Sequence, residues 1–104
     1  MIEFIKNIFG FGAKVDYKDL MQNGAQIIDV RTKIEYQSGH VKGSINIPLQ
    51  NLQTNFSKIK KDKPIITCCA SGMRSSSANS ILKSNGFTKV YNGGAWMSLE
   101  NKIS

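Results

Sequence analysis

Apolar residues along this chain come in short clusters whose spacing switches repeatedly between a helical and an extended period. Ile2, Phe4, Ile5, Ile8, Phe9 and Phe11 recur at helical intervals and predict an amphipathic helix over residues 2–11, ending at Gly10 or Gly12. Val15-Asp16-Tyr17 reads as a short strand, and Lys18 to Gln22 as a helix stopped by Asn23-Gly24. Ala25 to Val30, AQIIDV, is a buried strand, followed by a helix from Thr32 to Gln37 and a turn-rich connector from Ser38 to Ser44. Ile45-Asn46-Ile47 extends again until Pro48 stops it, and Leu49 to Phe56 makes one or two helical turns. Pro64 to Thr67 is too short and too β-rich for a helix. From Arg74 onward Ala78, Ile81 and Leu82 share one helical face, with Asn85-Gly86 as the stop. Thr88 to Tyr91 is another strand, Asn92 to Trp96 turns the chain back, and Met97 to Lys102 closes it with a helix. Strands alternating with short helices predict an α/β domain: a central parallel sheet of about five strands, covered by helices on both faces.

With 104 residues, the chain accommodates one domain over 14–104, preceded by the amphipathic segment 1–13. The apolar face of that segment needs cover, from the domain, from a second copy or from a membrane surface. No apolar run is long enough to span a membrane, and the first residues lack the core of a secretory signal. The two cysteines, Cys68 and Cys69, are neighbours, so a bridge between them would staple nothing distant. Both features lead us to expect a cytoplasmic protein. Fourteen basic residues against seven acidic ones give a net charge of +7. The Lys58, Lys60, Lys61, Lys63 cluster has no interleaved aromatics and reads as a solvated surface, so no nucleic-acid partner is expected. The positive field favours small anionic ligands. Nothing in the pattern fixes an oligomeric state.

Candidate chemistry converges on PIITCCASGMRSSS, Pro64 to Ser77. A cysteine between the carboxyl end of a strand and the amino end of a helix meets free backbone N–H groups and the positive end of the helix dipole. Beside a cation such as Arg74, its pKa falls from about 8.5 into the range of roughly 3.5–7.5, and only the thiolate attacks well. Ala70 to Arg74 offer a nest of donors, Ser71 and Ser75 add hydroxyls, and Gly72 permits the sharp turn. A buried, inert cysteine pair remains the structural alternative. Asp29 and Arg31, at the end of an earlier strand, are expected at the same sheet edge. Asp29 either caps the following helix or orients loop amides or an arginine. His40, the single histidine, is read as a structural hydrogen-bonding group, and no metal-ligand spacing is visible.

Four separated signatures then fall in one order. Asp29-Val30-Arg31, Glu35-Tyr36 with Gly39-His40-Val41-Lys42-Gly43-Ser44-Ile45-Asn46-Ile47-Pro48, Cys69-Ala70-Ser71-Gly72-Met73-Arg74-Ser75, and Asn92-Gly93-Gly94-Ala95-Trp96 together resemble the single-domain rhodaneses, the sulfurtransferase family. The likeness spans roughly residues 15 to 100 and implies the three-layer rhodanese-like fold. Lys42 and Ser44 stand where the family usually has proline and alanine, and Ala70 and Met73 are uncharged, unlike the basic loops of some thiosulfate-using relatives.

The resemblance further implies sulfur transfer through a Cys69 persulfide, from a small anionic donor such as thiosulfate to a thiol or protein acceptor, without metal or organic cofactor. Carried over by position, Cys69 is the nucleophile, Ala70, Ser71, Gly72, Met73, Arg74 and Ser75 form the cradle, Arg74 steadies the donor, and Asp29 and Arg31 shape the pocket wall. Two alternatives stay open: a cysteine-dependent phosphatase numbered on Cys68-x5-Arg74, and a carrier or binding module with negligible turnover. Adjacency also suggests a sulfur relay from Cys69 to Cys68.

Overall fold

The computed structural model describes residues 15–104, so the expected helix over 2–11 lies outside the described residues. Within them the order is α1 (Tyr17–Gln22), β1 (Gln26–Asp29), α2 (Lys33–Gln37), β2 (Ile45–Asn46), two 3-10 segments (Leu49–Thr54 and Phe56–Lys58), β3 (Ile65–Cys69), α3 (Met73–Ser84), β4 (Val90–Ala95) and α4 (Trp96–Ile103). All strand pairs are parallel, in the order β2-β1-β3-β4.

The α/β architecture matches the expectation, but the sheet has four strands among the described residues rather than about five. The missing strand is Val15-Asp16-Tyr17. Asp16 instead caps α1, its carboxylate accepting the Asp19 N–H at 3.0 Å, so a local side-chain bond overrides the extended tendency of the flanking residues. At the other edge β4 runs farther than Tyr91. Asn92 to Ala95 stay in the sheet because the register shifts from Thr67↔Asn92 to Cys69↔Ala95, which absorbs one extra residue at Gly93-Gly94. A Cβ on Gly93 would lie 2.9 Å from both Ile66 Cγ2 and the Thr67 carbonyl oxygen, so only glycine lets β4 approach β3 this closely.

Alternation along the strands divides the core in two. Ile28, Val30, Ile65 and Cys69 face Ala78, Leu82 and Phe87 on the α3 side. Ile27, Ile66 and Cys68 face Leu99 and Trp96 on the side of α1 and α4. These are the three layers. Chain order runs outward from β1 in both directions, so the topological switch lies between β1 and β3, whose carboxyl ends carry Asp29 and Cys69.

Candidate active site

Cys69 ends β3, and three residues later the chain must enter α3. Gly72 makes that possible with φ +103°, a left-handed conformation that side chains rarely tolerate, and it stands as the N-cap of α3. The turn folds the loop back over the sulfur. The Gly72 N–H donates to Cys69 Sγ at 2.9 Å, and Ser75 Oγ lies 3.5 Å from it. Burial alone would raise the thiol pKa, but the Ser75 hydroxyl and the N–H groups of Ser75, Gly72 and Ser71 overcome it and hold the pKa below its ordinary 9.0. The sulfur lies inside its loop, fully covered, with the donors turned toward it.

Cys68 is equally covered, and its chemistry is opposite. Its side chain packs on the other face of β3, beside Asp29, its partner in the register. Burial, then the Asp29 charge, pushes its thiol up to about 12. Such a thiol is protonated at neutral pH, so the Cys68 register that a phosphatase loop would need is disfavoured. The relay between adjacent sulfurs is disfavoured too, since the sheet separates them.

Polar groups behind the loop fix its shape. Ser75 Oγ lies 2.6 Å from Asn92 Oδ1, and Asn92 Nδ2 donates to the Gly72 carbonyl at 3.3 Å. The Asn79 amide, oriented by its partners, accepts the Asn92 N–H at 3.0 Å and donates to the Ser75 carbonyl at 3.2 Å. Ala70, Ser71 and Met73 are exposed on the outer side of the turn, and Met73 opens 78% of its surface to solvent.

Arg74 sits in the first turn of α3. Its guanidinium engages Glu35 in α2 as a fork, Nη1 to Oε1 at 2.7 Å and Nη2 to Oε2 at 3.0 Å. Glu35 is fixed from its other side by a capping box, in which Thr32 N donates to Oε1 at 3.0 Å. The Arg74 bond, with the Thr32 N–H, lowers the Glu35 pKa to about 2.

Asp29 and Arg31, expected in the pocket wall, turn instead to the Cys68 face and to each other. Both Asp29 oxygens accept from Arg31, the shortest bond being Nη2 to Oδ2 at 2.7 Å. Arg31 Nη2 also donates to the Gly39 carbonyl at 2.7 Å, and the guanidinium lies 4.9 Å from the Trp96 ring centroid. Of the roles expected for Asp29 the helix cap falls to Thr32, whereas the orienting role is seen: Asp29 Oδ1 accepts the Arg31 backbone N–H at 3.0 Å, and both carboxylate oxygens hold the Arg31 guanidinium. His40 stacks on Tyr36 at 3.7 Å, and its Nδ1 lies 2.7 Å from the Tyr36 carbonyl oxygen. Sequence reasoning did not single out Glu35, Asn79 and Asn92 as site residues. Glu35 carried a usable signal as the third residue of a capping box, and Asn92 stood at the head of the closing signature; Asn79 carried none, since two of its partners, Thr67 and Asn92, lie in other elements.

Comparison with known proteins bears on the family and the fold. Residues 14–96 match the family model described as Rhodanese-like domain. Over 68 residues the chain is 43% identical to the Bacillus subtilis (strain 168) protein YqhL, covering 65% of this chain and 54% of that one. It is 33% identical over 72 residues to the thiosulfate sulfurtransferase GlpE of Pseudomonas savastanoi pv. phaseolicola, covering 69% of this chain and 68% of that one. A solved structure described as rhodanese with anions from E. coli superposes with a TM-score of 0.68 at 34% identity, covering 72% of this chain and 91% of that one. Against several curated relatives the chain spans about half the length or less: 54% of YqhL and 42% of a putative sulfur carrier protein, YrkF, from the same organism.

Proposed function

This chain belongs to the rhodanese-like domain family, and from that membership together with the activated thiol at the end of β3 we propose that it is a sulfurtransferase working through a Cys69 persulfide. The observation that carries the reading is the Gly72 N–H aimed at Cys69 Sγ from 2.9 Å, in a loop whose donors lower the thiol pKa despite burial. Cys69 thiolate attacks the sulfane sulfur of a donor. A bond forms between Sγ and that sulfur, the donor's own S–S bond breaks, and the electron pair departs with the leaving group: sulfite from thiosulfate, a thiolate from a persulfide. The outer sulfur of the new persulfide keeps the negative charge, and the N–H groups of Ser71, Gly72 and Ser75, which turn toward Cys69, stabilise it as an oxyanion hole stabilises oxygen. A thiol or protein thiolate then attacks this sulfur and releases Cys69 thiolate.

In this reading Cys69 is the catalytic nucleophile; Ala70, Ser71, Gly72, Met73 and Ser75 build the cradle, and Arg74, forked to Glu35, ties the end of the loop to α2. Asp29 and Arg31 act at a distance by bracing the sheet edge. Sulfur transfer to cyanide, measured on Cys69→Ser and Cys68→Ser, tests the assignment. Loss in the first with retention in the second, and gain of one sulfur atom by the peptide carrying Cys69 after exposure to donor, are expected. Transfer that survives Cys69→Ser would overturn it, and sulfur loading without turnover would identify a carrier.

A further inference from the structure

The one cation in the loop is already occupied. Arg74 commits two N–H donors and its charge to Glu35 in a two-point fork, with the two side chains 35% and 36% exposed. The fork is anchored rather than incidental. Glu35 is the N3 residue of α2, its Oε1 also accepting from Thr32 N at 3.0 Å and Thr32 Oγ1 at 3.1 Å, so its carboxylate is held in place before Arg74 reaches it. Arg31, the other arginine, is spent on Asp29. No guanidinium is left uncommitted for a donor's anionic head. Glu35 stays ionised down to about pH 2, so ordinary pH does not release the fork.

We propose that Glu35 is a specificity-determining residue: by closing the Arg74 fork it sets the site against sulfur donors with a dianionic head, such as thiosulfate, and in favour of persulfides on otherwise uncharged thiols. The inference rests on the sulfurtransferase reading above and adds the donor class. Both donors undergo the same exchange at Cys69, one S–S bond forming as another breaks. They differ in what leaves. Sulfite departs as a dianion from beside a cradle already holding a negative persulfide, and so calls for a cation. A thiolate leaves as a single charge and takes a proton from water.

Glu35→Gln separates the two jobs of this side chain. Glutamine at N3 keeps the capping box, since its Oε1 still accepts the Thr32 N–H. It cannot neutralise Arg74, and its amide group turns donors toward the guanidinium. Glu35→Ala removes the fork and the side-chain half of the box, leaving the Thr32 Oγ1 bond to the residue 35 N–H. Steady-state kinetics with thiosulfate and with 2-hydroxyethyl persulfide would be compared for the wild type and both variants. In both variants the ratio of kcat/KM for thiosulfate to kcat/KM for the persulfide is expected to rise about tenfold, the worth of one charge-assisted hydrogen bond. The gain should sit in KM for thiosulfate. Thermal melting should separate the variants, with only Glu35→Ala losing the side-chain bond to the Thr32 N–H. An unchanged ratio, or parallel gains for both donors, overturns the proposal while leaving sulfur transfer intact. Absence of transfer from either donor in the wild type overturns the underlying reading and this inference with it.

Discussion

Cys68 and Cys69 offer a controlled comparison, because two adjacent thiols of equal, complete burial differ in what surrounds them. The perturbation is brief exposure of the folded protein to iodoacetamide at pH 7. A pKa of about 12 leaves roughly one Cys68 in 10⁵ ionised at that pH. Cys69, held below 9.0, is ionised in more than about one molecule in 100. The thiolate populations therefore differ by at least about 10³. The less basic sulfur is also the weaker nucleophile, which takes back about half of that advantage on a logarithmic scale. Labelling at Cys69 should exceed labelling at Cys68 by at least about thirtyfold, read by tandem mass spectrometry of the peptide that contains both. Equal labelling would mean that modification proceeds through unfolding, and preference for Cys68 would invert the electrostatic argument. Either outcome refutes the reasoning.

Three further outcomes follow from the same contacts. Ser75→Ala removes the foremost of the groups that lower the Cys69 pKa, so the rise of transfer rate with pH should move to higher pH, with a severalfold loss at pH 7 that narrows at pH 9. Gly93→Ala places a Cβ 2.9 Å from Ile66 Cγ2 and the Thr67 carbonyl oxygen; a cost of about 1–3 kcal/mol is expected, visible as a fall in Tm of about 4–8 °C per kcal/mol. Asp29→Ala strands the Arg31 guanidinium, whose side chain is 5% exposed, without its carboxylate, and urea unfolding should register a loss of about 3–5 kcal/mol.

Local patterns carried much of this molecule into view before any coordinates. The apolar runs at Ala25–Val30 and Pro64–Thr67 mark β1 and β3, because strands buried on both faces leave no polar alternation to confuse them. The cysteine loop was legible because strand, glycine and helix start are consecutive in sequence. Asp16 misled, since one carboxylate can cap a helix in a segment whose neighbours favour extension. The continuation of β4 through Asn92-Gly93-Gly94-Ala95 looked like a turn because paired glycines signal turns, whereas here they admit close contact with β3. The Glu35–Arg74 fork joins residues 39 positions apart, and nothing local announces it. The expected place of Asp29 and Arg31 failed by one residue of pleat: the edge was right, but the odd positions of β1 point away from the face that holds Cys69.

Arg31 joins three parts of the chain at once: the end of β1 through Asp29, the connector through Gly39, and the start of α4 through Trp96. This clasp lies under the sheet, while the segment from Ala70 to Arg74 lies over its rim. The Arg31 bonds of the frame are thereby distinct from the loop residues proposed to meet a substrate. Exchange of the three exposed side chains at Ala70, Ser71 and Met73 is therefore a route to new sulfur chemistries on an unaltered scaffold, with Gly72 retained to make the corner.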